Sequence, residues 1–437
     1  MSRLLLLLVP MLVAADWPQF RGPAGDSRSP GRLPPEIGPN NLAWKADIPG
    51  SGWAQPVVVG ETVYVATAVS DPPLTPRDMM GGIAGMPKSV PGQPAPGPKV
   101  TIDWTLLALD LGTGKTKWAT KVVSGQPKYA IHPTNTFATE TPCADAERVY
   151  VYFATAGVLA ALDPAGKEVW RNAYPPQPTA SDLGPGASPA LHDGKLYLIL
   201  ANEAEARLVC LDPATGKEKW VAARDKFGTA WASPFVWKSA NRTEVVFCGK
   251  GSVTGHDPDS GKELWRLNGI DSSFSASPTA TADVLVFGNG GPGSASPLIG
   301  VKAGAAGDIT LKKGETSGEH VAFYKTGAAP GMSSPVAVGD NVYVLNNGGL
   351  ACYEAKTGKQ LYKERLLKAK TVACAPVAAG GTILYLDETG AAVLVKAGNE
   401  FEAVAGGKFD DLFWSSPALA GDKLLLRGAK ALYCVKR

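Results

Sequence analysis

Three tryptophans share one local setting. Trp53, Trp231 and Trp414 each stand three residues before a proline, in Trp-Ala-Gln-Pro, Trp-Ala-Ser-Pro and Trp-Ser-Ser-Pro. Large flat apolar rings among small hydroxyl residues can stack on a planar ligand, grip a peptide or hold a sugar. The plainer reading packs them between neighbouring structural units. His132 and Asn135, in Ile131-His-Pro-Thr-Asn135, occupy a long polar stretch together with Thr139 and Glu140 and form a second candidate for ligand contact. The other histidines are His192 in a tight turn, His256 beside a repeated aspartate and His320 before a β-run; four scattered histidines make no metal set. No Gly-x-Ser-x-Gly elbow or other local nucleophile signature occurs. No catalytic, cofactor-binding or metal-binding residue is assigned.

The elements that position these residues are repeats. Leu208 to Trp220, LVCLDPATGKEKW, reads as an apolar run, an Asp-led turn and a Lys/Glu-rich strand ending in Trp. Pro213 suits a turn because its ring fixes φ, and Gly216 can take the left-handed conformation that closes a bulged hairpin. The pattern returns at Leu107–Trp118, Ala160–Trp170, Thr254–Trp265 and, with Glu354 and Tyr362, at Leu350–Tyr362. The regular places of Asp110, Asp163, Asp212 and Asp257 in these turns make them structural, as are Gly114, Gly216 and Gly261. Trp118, Trp170, Trp220 and Trp265 each have an apolar face to bury on a neighbour.

A second element precedes each hairpin: a small residue, a proline, and two short β-runs around a Gly/Asp turn. Its anchoring prolines are Pro56, Pro142, Pro189, Pro234, Pro278, Pro335, Pro376 and Pro417, spaced mostly 41–47 residues apart with longer steps of 86 and 57. Units of this length with four short strands predict an all-β, eight-bladed propeller over residues 42–437. The residues opening the inner strands, Gln55, Thr141, Ser188, Ser233, Ser277, Ser334, Ala375 and Ser416, should ring the channel mouth. The last repeat lacks its Trp-bearing strand. Leu42–Ile48, with Trp44, supplies one of that type, so an N-terminal outer strand should close the ring.

Met1–Ala15 reads as an export signal: Arg3, an apolar run and the small residues Val13-Ala14-Ala15. Residues 16–41 are an N-terminal extension. The tight turns between the first and second, and third and fourth, strands should lie on one face. Every large insertion is expected on the other, including the stretch 71–98 with its eight Pro and five Gly. Loops on a rigid scaffold are where binding sites are built, which makes the long-loop face the candidate functional face.

With a net charge of +3 and 19 % charged residues in 437, nucleic-acid binding has no support. No stretch after the signal is apolar enough to span a membrane. Six cysteines include no adjacent pair and no Cys-x-x-Cys, and Cys210 and Cys352 hold equivalent places in separate repeats, so buried thiols rather than disulfides are expected.

Ala108-Leu-Asp110-Leu-Gly-Thr-Gly114-Lys-Thr-Lys-Trp118 resembles the tryptophan-docking repeat of the pyrroloquinoline-quinone (PQQ) dehydrogenases and their non-enzymatic relatives. Asp16-Trp-Pro-Gln-Phe-Arg-Gly-Pro23 is similar to the opening of a large group of exported bacterial PQQ-like repeat proteins. In the dehydrogenase branch the resemblance implies PQQ on the propeller axis with Ca²⁺ held by Glu, Asn and Asp, and alcohol or sugar oxidation. Neither that calcium set nor the adjacent cysteines can be matched here. The other branch is the scaffold lipoprotein of the outer-membrane β-barrel assembly machinery, which has no cofactor; this chain has no lipidation Cys after its signal. The expectation is therefore an exported, periplasmic or secreted monomer without a cofactor. It binds a protein or extended ligand through the long-loop face, by way of Trp53, Trp231, Trp414, His132 and Asn135. A PQQ- and Ca-dependent dehydrogenase is the alternative, and a carbohydrate-binding module a further one.

Overall fold

The computed structural model describes residues 16–78, 93–225, 228–271, 273–288, 290, 296–369 and 372–437. The expected signal at 1–15 and the middle of the 71–98 insertion lie outside them. Eight antiparallel sheets of four consecutive-type strands follow one another in chain order, each beginning just past one of the eight prolines. We call the strands A to D from the axis outward. In blade 3 they are Ala190–His192, Lys195–Ala201, Ala206–Leu211 and Glu218–Ala223, with Cys210 opposite both Tyr197 and Trp220.

Burial explains the sequence of each strand. The B and C strands are covered on both faces by neighbouring blades, so they read as near-continuous apolar runs such as Leu196–Leu200. The D strands pack on one side only, and Glu218–Ala223 alternates between exposed and half-buried residues. All six cysteines are buried free thiols.

The ring closes as expected. Leu42–Asp47 pairs antiparallel with Ala431–Lys436 and is the fourth strand of blade 8. Four D-strand indoles then cross to the next blade: Trp44 covers Gly114, Trp118 covers Gly166, Trp170 covers Gly216 and Trp220 covers Gly261. A side chain at Gly166 would have its Cβ 2.6 Å from the Trp118 ring, at φ +83°, so the site needs both the absence of a Cβ and a left-handed backbone. The turn aspartates serve their own hairpins; Asp212 accepts from the amides of Ala214 and Thr215 at 2.9 and 3.0 Å.

Two expectations are corrected. Trp265 does not cover a hairpin glycine of the next blade as the other four indoles do; it is buried with Nε1 donating to Glu244 in its own blade. The reason is an insertion on the tight-turn face: residues 303–320 join the C and D strands of blade 5 and carry Gly307–Asp308 alongside Trp265 and Arg266. Large insertions are thus not confined to the long-loop face. In blade 5 the docking role passes to Phe323, which covers Gly358.

The N-terminal extension has a role beyond leading to the closing strand. Trp17 exchanges two backbone hydrogen bonds with Val58 of blade 1, both 2.9 Å, and Pro18 accepts from Ala144 of blade 2. Gln19 Oε1 accepts from Leu191 N–H of blade 3. The chain then crosses the axis. Arg21, 1 % exposed, donates through Nη1 to Pro278 O of blade 5 and through Nη2 to Pro335 O of blade 6. Arg28–Ser29 leaves along the inner strand of blade 7 in parallel register. Residues 17–29 are a plug in the channel.

Candidate functional site

Where the inner strands begin, the blades are stitched together by hydroxyls. The amide of Gln55 donates to Thr141 Oγ1, Thr141 to Ser188 Oγ, Ser188 to Ser233, Ser233 to Ser277 and Ser277 to Ser334, all at 2.9–3.0 Å. Ala375 N–H donates to Ser416 Oγ at 2.8 Å. The step from blade 6 to blade 7 is missing because Ala375 has no hydroxyl; Ser333 Oγ bonds Cys374 O there instead. The proline after each hydroxyl residue brings no N–H of its own, which leaves one amide per blade to be satisfied at this level.

The three tryptophans stand just above this girdle. Trp53 Nε1 donates to Thr134 O at 2.7 Å, Trp231 Nε1 to Gly184 O at 2.6 Å and Trp414 Nε1 to Glu388 Oε2 at 3.3 Å. Each indole is tied to a neighbouring blade, as the packing reading requires, and each also faces the axis. His132 Nδ1 accepts from Thr134 N–H at 3.2 Å and lies 2.7 Å from Thr134 Oγ1; burial pulls its pKa down. Asn135 donates to Leu183 O at 2.7 Å while its Oδ1 accepts from Thr136 N–H and Thr139 Oγ1.

Trp53, Trp231, Trp414, His132 and Asn135 therefore come together in the lining of one axial cavity of about 320 Å³. Thr141, Ser188, Ser277, Ser334 and Ser416 line it from the girdle, and Phe20 reaches into it from the plug. That volume falls at the lower end of small-molecule sites. Among the described residues no Asp or Glu lines it. Two carboxylates lie behind the wall: Glu388, bonded to Trp414, and Glu140, whose oxygens are buried without a hydrogen-bond partner at normal geometry. Burial raises the Glu140 pKa to about 8, partly offset by nearby amides.

Sequence reasoning missed Phe20, Met332 and Ala373 in the lining. Phe20 had a signal in the conspicuous Asp16–Pro23 stretch; Met332 and Ala373 had none beyond lying just before inner-strand prolines.

Residues 154–319 and 249–407 match the family profile described as outer membrane protein assembly factor BamB. Comparison with curated proteins returned no match. Among solved structures, BamB from Moraxella catarrhalis superposes with a TM-score of 0.54 at 15 % identity, over 79 % of this chain and 96 % of that one. Quinohemoprotein alcohol dehydrogenase from Comamonas testosteroni gives 0.64 at 14 % identity, over 96 % and 80 %. At such identities the likeness is one of fold. The profile matches together span more than half of the chain, which belongs to the BamB-like family of PQQ-repeat β-propellers.

Proposed function

We propose that this protein is an exported, non-catalytic binding scaffold that holds a protein or extended ligand on its long-loop face, with the axial cavity as the anchor. The observation that carries this reading is the convergence of the three tryptophans, His132 and Asn135 on a cavity whose base is closed by the plug and whose lining, among the described residues, has no carboxylate.

The dehydrogenase branch of the fold implies PQQ and Ca²⁺ at the axis. Calcium takes 6–8 oxygen ligands, usually with carboxylates among them. The lining offers hydroxyls, one amide and apolar rings, and the carboxylates of Glu140 and Glu388 stand behind it. Among the described residues, no cluster of three or more His, Cys, Asp and Glu suited to a metal occurs. These residues do not fit the group.

Export and a monomeric state complete the proposal. Among the described residues no helix is long and apolar enough to cross a membrane. The reading is tested by incubating the purified protein with PQQ and Ca²⁺ and following dye reduction with primary alcohols and aldoses. No turnover is expected; PQQ-dependent turnover would overturn it.

A further inference from the structure

We propose that the axial cavity takes the terminal ring of a neutral oligosaccharide, an inference that rests on the reading of the long-loop face as a binding face. The chemistry of the wall narrows the ligand. All three indole N–H groups are spent on protein acceptors, so Trp53, Trp231 and Trp414 present only hydrocarbon surface, held in fixed orientation. Thr141, Ser188, Ser277, Ser334 and Ser416 each accept a backbone N–H through the hydroxyl oxygen. Each is at most 5 % exposed. Among the described residues none of these hydroxyls donates to a protein acceptor, so their protons remain free to bond a ligand in the cavity that all five line. An oxygen that already accepts a hydrogen bond is the stronger donor. His132, neutral with Nδ1 accepting from Thr134 N–H, keeps its proton on Nε2, where it adds another donor.

The cavity thus offers flat apolar surface and a ring of hydroxyl donors, and among the described residues no charged side chain lines it. A charged ligand would lose its hydration without a partner. A pyranose matches the pattern: its C–H face lies on an indole, and its ring and hydroxyl oxygens accept. The Phe20–Arg21 plug closes the base, so only a chain end can enter. The guanidinium of Arg21 is consumed by Pro278 O, Pro335 O and Ser27 Oγ and takes no part in the lining.

The test is titration of the full exported chain with cellotetraose, maltotetraose, xylotetraose and mannotetraose, followed by Trp fluorescence and calorimetry, with tetragalacturonate as the charged arm. At least one neutral tetraose should bind saturably. Trp231→Ala should weaken it by at least about tenfold. So should Ala373→Leu, which narrows the cavity without removing a wall contact; Trp118→Ala, on the outer rim, should leave affinity unchanged. Melting curves establish that each variant is folded. Binding of tetragalacturonate alone, or affinity undiminished in both cavity variants, would overturn the proposal. Silence from every neutral probe would also overturn it while leaving the scaffold reading intact, whereas PQQ-dependent turnover would remove both.

Discussion

Trp44, on the first strand of the propeller to appear in the chain, lies flat on Gly114 of blade 1 while its Nε1 donates to Leu111 O at 2.9 Å. That contact joins blade 8 to blade 1, and the strand bearing Trp44 completes blade 8 from the opposite end of the sequence. Ring closure therefore depends on it. Trp44→Ala should destabilise the protein by about 3 kcal/mol, as for other buried aromatic truncations. Gly114→Ala, whose Cβ would meet the indole at 2.6 Å at φ +72°, should cost about 1–3 kcal/mol. Urea unfolding checks both; an unchanged midpoint for Trp44→Ala would contradict this account of closure.

Arg21 ties the plug to blades 5 and 6. Replacing it by Met leaves Pro278 O and Pro335 O buried without their donors, at about 1–3 kcal/mol each. Arg21→Met should therefore lower stability by about 2 kcal/mol or more. Arg21→Lys should not restore it, since an ammonium lacks the planar fork that spans two carbonyls. Urea midpoints for the pair provide the comparison, and equal stability of all three proteins would refute the bridging role.

Glu140 makes stability depend on pH. Its folded pKa of about 8 lies above the ordinary value of 4.5, so the folded state holds a proton that the unfolded state has released. The sign follows: the Glu140 contribution to stability is greatest below about pH 4.5, falls as pH rises towards 8 and levels above it. Glu140→Gln should remove that slope and raise stability at pH 7 by about 3 kcal/mol. Denaturation of both proteins from pH 5 to pH 9 measures it, and parallel profiles would contradict it.

The hydroxyl girdle is interrupted at Ala375, between blades 6 and 7. Ala375→Ser places an oxygen where the Ser334 amide of the preceding blade can donate, repeating the geometry of the five consecutive steps from Gln55 to Ser334. A gain of about 1 kcal/mol is expected. Ser188→Ala should lose about 1–3 kcal/mol, because the Thr141 amide is left buried without its acceptor. Opposite shifts in melting temperature are the predicted outcome. A loss on Ala375→Ser would show that the gap is set by packing.

The propeller was legible because its cause is periodic. Asp, Gly and Trp recur at fixed offsets in the hairpins, and a proline marks each inner strand, so blade number and the closing role of Trp44 could be read without coordinates. Trp265 misled because its local motif is intact; what differs is the partner hairpin in blade 5, replaced by residues 303–320. The plug was not legible. Arg21 acts through carbonyls 257 and 314 residues away, and only the closed ring brings these together. Trp53, Trp231 and Trp414 could be found because each lies three residues before an inner-strand proline, and His132 and Asn135 because they lie in a long polar stretch on the way to one. The backbone amides that occupy the hydroxyl oxygens and the blind base could not, since each depends on neighbours from other blades.

The central claim is that the axial cavity serves binding and does not hold the quinone chemistry of its structural relatives. Titration of the protein with PQQ in excess Ca²⁺, following the fluorescence of Trp53, Trp231 and Trp414 at the cavity wall, tests this most directly. The account predicts no saturable quenching, and none that chelation of calcium reverses. Saturable, calcium-dependent quenching in the micromolar range or tighter, lost in Trp231→Ala, would contradict it.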